Sequence, residues 1–377
     1  MTRRERLMAT MRGETVDRPP VSFYELNGLE DENNPDPFNI YSDPSWKPLL
    51  ELTRERTDRI AMRTAQMKDA PPDPRQELTR VEKRMENGSL FTTRTIRAGG
   101  RTLTARSRHD PDVNTVWQTE HLLKDADDLR AWLELPWPAF GGTPDTAAVL
   151  EAERRLDDAG IVMLDTPDPL CMVAPLFDMG TYTVIAMTEP ELFNRAVERC
   201  AELLLARTRA VAAALPGRLW RIYGPEYAAP PYLPPRLFRD YVVRYDTPMI
   251  EAIHRHGGFA RIHSHGRLHE ILDDIAATGC MGLDPIEPPP QGNVELSYVR
   301  QRYGRQFVLF GNLEVSDIEN LPTPEFEKKV RRAVAEGTAG EGRGFVLMPS
   351  ACPYGRKLST LTLRNYEKMV QIVAEGC

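Results

Sequence analysis

The segment Phe259-Ala260-Arg261-Ile262-His263-Ser264-His265-Gly266 concentrates side chains able to do chemistry. Along an extended strand successive side chains alternate faces, so Arg261, His263 and His265 share one face and Ala260, Ile262 and Ser264 the other. The small, apolar face suits packing beneath helices, which turns the basic face inward. Two imidazoles at i and i+2 can act as general acid and base, or bind a substrate carboxylate, without any metal. They can also chelate an ion. Cys352, in Met348-Pro349-Ser350-Ala351-Cys352-Pro353, and Glu226, in Tyr223-Gly224-Pro225-Glu226-Tyr227, each follow a predicted strand. A His263, His265, Cys352 and Glu226 set is chemically competent for Zn2+ with one exchangeable position.

Other groups fall at the same predicted strand ends. Tyr223 supplies a phenol beside Glu226. Arg221 shares the face of Tyr223 and can join Arg261 in holding an acidic substrate group, unless interior carboxylates neutralise both. Asp284 and Glu287 bracket Pro285, and the expectation is that one faces the pocket while the other caps or solvates its loop. Asn312, in Gly311-Asn312-Leu313-Glu314, is placed to position substrate, with turn chemistry as the simpler use. Asp165 and Asp168 read first as caps of the following turn. Nucleophilic catalysis finds little support: no GxSxG elbow occurs, and Cys171, Cys200 and Cys280 sit in apolar surroundings that make inert thiols. His254 and His256 close a predicted helix, where its dipole explains them.

The elements that must position these residues alternate from about residue 148 onward. Ile161–Asp165, Leu219–Gly224, Phe259–His265, Gly282–Pro285, Phe307–Asn312 and Gly344–Pro349 read as short apolar strands. Helical stretches are predicted at Glu189–Ala214, Pro235–His256, Leu268–Thr278, Leu296–Tyr303, Pro324–Glu336 and Thr362–Ala374. Such alternation implies parallel strands with right-handed crossovers. With strands near Val21 and Ile60 the count reaches about eight, which points to a (β/α)8 TIM barrel, with chemistry at the C-terminal strand ends. No Gly-rich nucleotide loop follows the first strand, which weighs against an open doubly wound sheet. An opening helix, Arg3–Met11, precedes the first strand. Asn27–Pro48 reads as a loop over the barrel mouth or an arm toward a second subunit. Alternating Thr and Arg around Ala98-Gly99-Gly100 predicts an inserted β-hairpin over about residues 88–120. The whole chain, 1–377, is read as one barrel domain.

Composition narrows the partners. A formal net charge of −7 argues against nucleic acid, which calls for a dense Lys/Arg field. No run of about 18 apolar residues exists to span a membrane, and no apolar segment follows the basic N-terminus as in a secretory signal. The five scattered cysteines show no CxxC spacing and no disulfide framework. A cytoplasmic enzyme with a small-molecule substrate is the expectation, with a homodimer formed if the arm and hairpin pair.

Several segments together resemble the uroporphyrinogen decarboxylase superfamily. They are Arg4-Glu5-Arg6-Leu7, Arg12-Gly13-Glu14, Asp17-Arg18-Pro19-Pro20-Val21, the hairpin, Ala174-Pro175-Leu176, His263-Ser264-His265-Gly266, Asp284-Pro285-Ile286-Glu287, Gly311-Asn312-Leu313-Glu314 and Asn365-Tyr366. The resemblance covers nearly the whole chain and implies the barrel fold. Its decarboxylases carry an N-terminal Arg-Gln-Ala-Gly-Arg-Tyr signature, whereas Pro20 here is followed by Val21-Ser22-Phe23-Tyr24-Glu25-Leu26. Its corrinoid-linked methyltransferases bind zinc through a His-x-Cys pair and a later Cys, and His263-x-His265 with Cys352 is similar to that pattern, with His in place of the first Cys. The resemblance therefore implies a corrinoid (cobalamin)-dependent methyltransferase that moves methyl between a small molecule and a separate corrinoid protein with zinc assistance. The alternative it implies is a metal-free decarboxylase that grips carboxylates through Arg261 and Arg221.

Overall fold

The computed structural model describes residues 1–376. Seven strands form one parallel sheet: β1 (Arg59–Arg63), β2 (Gly160–Pro167), β3 (Leu219–Tyr223), β4 (Phe259–His263), β5 (Gly282–Asp284), β6 (Val308–Leu313) and β7 (Phe345–Pro349). Each pairs with the next in chain order, as expected when a helix returns the chain across the same face after every strand. The period of two survives inside these apolar runs. Ile161, Met163, Leu219, Val308, Phe310, Val346 and Met348 fill the inside of the curved sheet, while Val162, Leu164, Leu309 and Leu347 join the larger outer core against the helices.

Val21–Tyr24, expected as a full eighth strand, contributes a single parallel bridge from Val21 to Leu347 of β7. The Val21 carbonyl also accepts from the Asp58 N–H at 2.7 Å, one residue before β1, so Val21 stands between the two edge strands. Pro19 and Pro20 have no N–H to donate, which prevents a longer ladder on their side. Asp58 organises this end of the fold. Fully buried, it pairs with Arg6 and Arg18, each at 2.7 Å, and accepts the Val21 N–H at 2.9 Å. Arg6 belongs to the opening helix Arg3–Arg12, which starts in a Thr2/Glu5 capping box and ends at Gly13, whose positive φ suits glycine. The Arg6, Asp17 and Arg18 positions of the N-terminal motif thus form an ionic clamp on buried Asp58, with Asp17 at the surface.

Around the sheet lie the helices Pro190–Ala214, Leu296–Tyr303, Thr323–Gly337 and Thr360–Glu375, close to their predicted bounds. Two predicted helices differ. The Pro235–His256 stretch divides into Pro235–Phe238, a π turn at Arg239–Val243 and a helix Arg244–Arg255 that contains Pro248. Pro248 lacks the N–H needed for a regular i to i−4 bond, which accounts for relaxed winding one turn earlier. Leu268–Thr278 shortens to Leu272–Ala277 after a 3-10 turn. Strands Ser89–Ala98 and Arg101–His109 pair antiparallel across Gly99-Gly100, within a four-stranded sheet from Thr79 to Glu120 that begins before the expected residue 88. Among the described residues no helix is long and apolar enough to cross a membrane.

Candidate active site

Strand register builds the site in rows, because residues paired across parallel strands point to the same face. Asp165 of β2, Arg221 of β3 and Arg261 of β4 are register partners in one row; Tyr223, His263 and Asp284 form the next. Both arginines are consumed within this lattice. Arg221 places Nε 2.6 Å and Nη2 3.2 Å from the Asp165 carboxylate. Arg261, 1% exposed, ion-pairs through Nε with Asp284 Oδ1 at 2.8 Å, though the angle is not that of a hydrogen bond. Its guanidinium carbon also stands 4.5 Å from the Phe310 ring centre, a cation–π contact. Gly282 makes the reach possible: a Cβ there would come within 3.4 Å of Arg261 side-chain carbons and 3.1 Å of Phe310. The expectation that Arg221 and Arg261 grip a substrate carboxylate is corrected, because interior carboxylates hold both.

Asp284 is fully buried, and its Oδ2 accepts from His263 Nδ1 at 2.7 Å. Burial alone would raise this carboxyl, but Arg261 and then His263 outweigh it and leave it lowered. Asp284 therefore supports the histidine from behind; it does not face a substrate. The other edge of the His263 ring meets Tyr24, whose Oη is 3.4 Å from Nε2 and whose ring stacks at 5.6 Å. Burial holds the Tyr24 phenol in its protonated form, and Arg221 Nη1 donates to its oxygen. With Nδ1–H given to Asp284, Nε2 is left to accept from Tyr24. His263 is closed on both edges.

His265 is the open one. β4 ends at His263, so His265 lies just past the strand, its ring perpendicular to that of His263 at 4.7 Å. Its Nδ1 is 2.8 Å from Glu287 Oε1, while Glu287 Oε2 accepts the Gly266 N–H at 2.8 Å. Two anchors fix the carboxylate and, through it, the ring. Asp284 and Glu287 thus both serve the histidines, where one had been expected to cap or solvate its loop. Burial works against charge on His265, but the Glu287 carboxylate, followed by Glu226 and Asp284, prevails and raises it above the ordinary imidazole range. The side chain keeps 38% exposure and lines a cavity of about 450 Å³ with Glu226, Tyr227, Tyr232, Met179 and Pro230. Glu226 turns Oε2 to the Gly224 N–H at 3.1 Å. Nε2 of His265 is the nitrogen left for a molecule in that cavity.

A family model described as Uroporphyrinogen decarboxylase (URO-D) matches residues 171–375, more than half of the 377-residue chain. The chain belongs to the uroporphyrinogen decarboxylase family. Among solved structures it is similar to a methyltransferase from Methanosarcina mazei, with a TM-score of 0.62 and 16% identity over 100% of this chain and 99% of that one. At that identity the likeness concerns the fold. No curated protein is significantly similar in sequence.

Other positions picked out from the sequence of this family member have neighbours of their own. Asn312 lines a separate pocket of about 130 Å³ with Glu314, Lys329 and Arg332. Tyr223 faces Arg221, whose guanidinium carbon is 5.1 Å from its ring centre, and burial pushes its phenol up to about 12. Cys352 donates to the Pro353 carbonyl at 3.3 Å, and the groups acting on its thiol are Glu25, Glu30, Tyr41 and Glu319. Burial raises that thiol well above its ordinary value. Among the described residues no three His, Cys, Asp or Glu side chains are arranged to hold a metal ion, so the His263, His265, Cys352 and Glu226 set is not assembled.

Tyr24, which reaches His263 from 239 positions away, was not singled out in the sequence. Nor was Glu314, which lines the Asn312 pocket, is buried at 6% exposure, and has Oε2 accepting from Ser350 Oγ at 3.1 Å and Oε1 without a partner. Burial, then the charge of Glu287, pushes its carboxyl up to about 7.

Proposed function

We propose that the chain is a methyltransferase that moves a methyl group between a small molecule in the mouth cavity and a corrinoid carried by a separate protein. The observation that carries this reading is His265: an imidazole fixed at Nδ1 by buried Glu287, its protonated form favoured by the neighbouring carboxylates, and open at Nε2 to a cavity with apolar and aromatic walls. Such a group supplies a proton to a leaving group, the general-acid role. Arg221 and Arg261, the two guanidinium groups the decarboxylase alternative calls on to grip carboxylates, are already paired with Asp165 and Asp284, which weakens that alternative. The fold-level likeness to a protein described as a methyltransferase adds support over the full chain length.

A corrinoid macrocycle with its side chains exceeds a cavity of about 450 Å³, so in this reading it stays on its own protein at the mouth. The residues expected to bind zinc do not come together, and activation of the leaving group falls to His265. Glu287 holds the ring, Glu226 contributes charge beside it, and His263 with Asp284 and Tyr24 forms the rigid floor.

The test supplies purified protein with reduced cobalamin as surrogate acceptor and a panel of methyl donors, following the visible absorption of the cobalamin. The reading predicts a donor-dependent change with the wild type that His265→Gln slows by about 10²–10⁴-fold, the usual worth of a general acid. No protein-dependent change with any donor overturns it, and release of carbon dioxide from a polycarboxylate in its place would favour the decarboxylase.

A further inference from the structure

We propose that a second cavity, at the end of the sheet opposite His265, binds a phosphate monoester with a small apolar body through Arg300 and Arg343. β7 begins there, and a space of about 460 Å³ is bounded by the loop 338–344, the end of the helix Thr323–Gly337 and the segment 14–19. Three arginines and two carboxylates line it. Most of that charge is already matched: Glu14 with Arg12 at 2.7 Å, Asp17 with Arg6 at 2.6 Å, and Arg18 with Asp58 at 2.7 Å. Arg300 and Arg343 are left over. Burial lowers both guanidinium groups, and no carboxylate acts to raise either. Cations withdrawn from water without a counterion are costly, and an anion in the cavity would relieve that cost. A phosphate monoester carries about −1.5 to −2 at pH 7, which matches two unmatched positive charges; a carboxylate would answer only one.

Backbone carbonyls fix both side chains and leave donors over. Arg300, 7% exposed, gives Nε to the Ala339 carbonyl at 2.8 Å and Nη1 to that of Arg343, which sets the two arginines side by side. Arg343 gives Nη2 to the Met11 carbonyl at 3.0 Å, while its Nε is buried with no acceptor. Among the described residues, Arg300 Nη2 and Arg343 Nη1 have no acceptor either. A planar guanidinium fork suits the several oxygens of a phosphate. Glycine lets the loop close down on this pair: a Cβ on Gly342 would stand 2.5 Å from the Gly304 carbonyl oxygen and 3.2 Å from Arg300 Cζ. Val16, Pro19, Val334 and Phe345 supply apolar wall for the organic part of an ester. Neither the cavity nor its ligand depends on the methyl-transfer reading, whose histidine stands past the other end of the strands.

Calorimetric titration of the whole protein with phenyl phosphate, inorganic phosphate and benzoate tests this, at matched ionic strength and roughly pH 8, where the monoester is a dianion. The expected result is one saturable site that takes phenyl phosphate more tightly than inorganic phosphate and benzoate at least about tenfold more weakly. Arg300→Gln and Arg343→Gln should each weaken phenyl phosphate by about tenfold or more, a loss of about 1.4 kcal/mol. Because Arg300 also fastens the loop, Thr338→Glu provides a variant that keeps both arginines: Thr338 is exposed in the lining, and a carboxylate there should weaken binding to a similar extent. Circular dichroism establishes that each variant is folded, and His265→Gln should bind as the wild type does. No saturable binding by the wild type, benzoate held as tightly as phenyl phosphate, binding indifferent to all three cavity variants, or binding lost in His265→Gln would each overturn the proposal.

Discussion

Replacement of Asp284 by Asn tests the buried ionic lattice under the site. The carboxylate serves two partners, Arg261 Nε at 2.8 Å and His263 Nδ1 at 2.7 Å, and both Asp284 and Arg261 are essentially sealed from water. An Asn carbonyl can still accept from His263, so that bond largely survives. Arg261 has no such recourse: its Nη atoms have no other hydrogen-bond partner, and a positive charge would remain in a site without solvent. Removing one member of a buried pair costs about 3–5 kcal/mol for this reason, whereas replacing both by apolar groups is often neutral. Asp284→Asn should therefore lower stability by roughly 3–5 kcal/mol in urea unfolding at unchanged m-value, and Arg261→Met combined with Asp284→Asn should recover most of the loss. A single-variant cost under about 1 kcal/mol, or a double variant worse than the sum of the singles, would refute the claim that Asp284 neutralises Arg261.

Two further outcomes follow from other buried polar groups. Asp168 and Asp246 are fully buried, and three of their four carboxylate oxygens lack a partner. Burial raises both, with Asp246 adding to the rise in Asp168, so the folded state favours their protonated forms. The stability they contribute is fully present below the ordinary carboxyl range and is lost as pH rises through their raised values. Asp246→Asn should thus stabilise the protein more at pH 8 than at pH 5, read as the shift in melting temperature, and the opposite trend would contradict the assignment. Tyr24→Phe keeps the ring stacked on His263 but deletes the hydroxyl bonded to Arg221, with an expected cost of about 1–3 kcal/mol in urea unfolding and an altered His263 Nε2 resonance in 15N NMR. Both quantities unchanged would place the hydroxyl outside the network.

The parallel strands were legible because both faces are buried, which writes them as short apolar runs, and their order followed from chain connectivity. Facing was legible too: alternation along β4 put Arg261 and His263 on one side. What alternation cannot provide is the partner of an inward charge. Whether Arg261 meets a substrate or Asp284 depends on register between strands and on the space that Gly282 leaves. Tyr24 and Val21 were obscured because a segment with one ladder bridge has no strand-length signal, and its contacts lie across the fold. Cys352 follows a strand end as expected. The course of its loop, which the sequence does not encode in any turn motif, carries the thiol to Tyr41 instead of the histidines.

The central claim is that His265 is a fixed, charged proton donor because Glu287 anchors it. A 15N NMR pH titration of the histidine ring nitrogens, in wild type and Glu287→Gln, measures this directly. His265 should titrate above the ordinary imidazole value in the wild type, with Nδ1 protonated throughout, and fall in Glu287→Gln. A His265 that titrates at or below the ordinary value, or that ignores the loss of the Glu287 charge, would contradict the account.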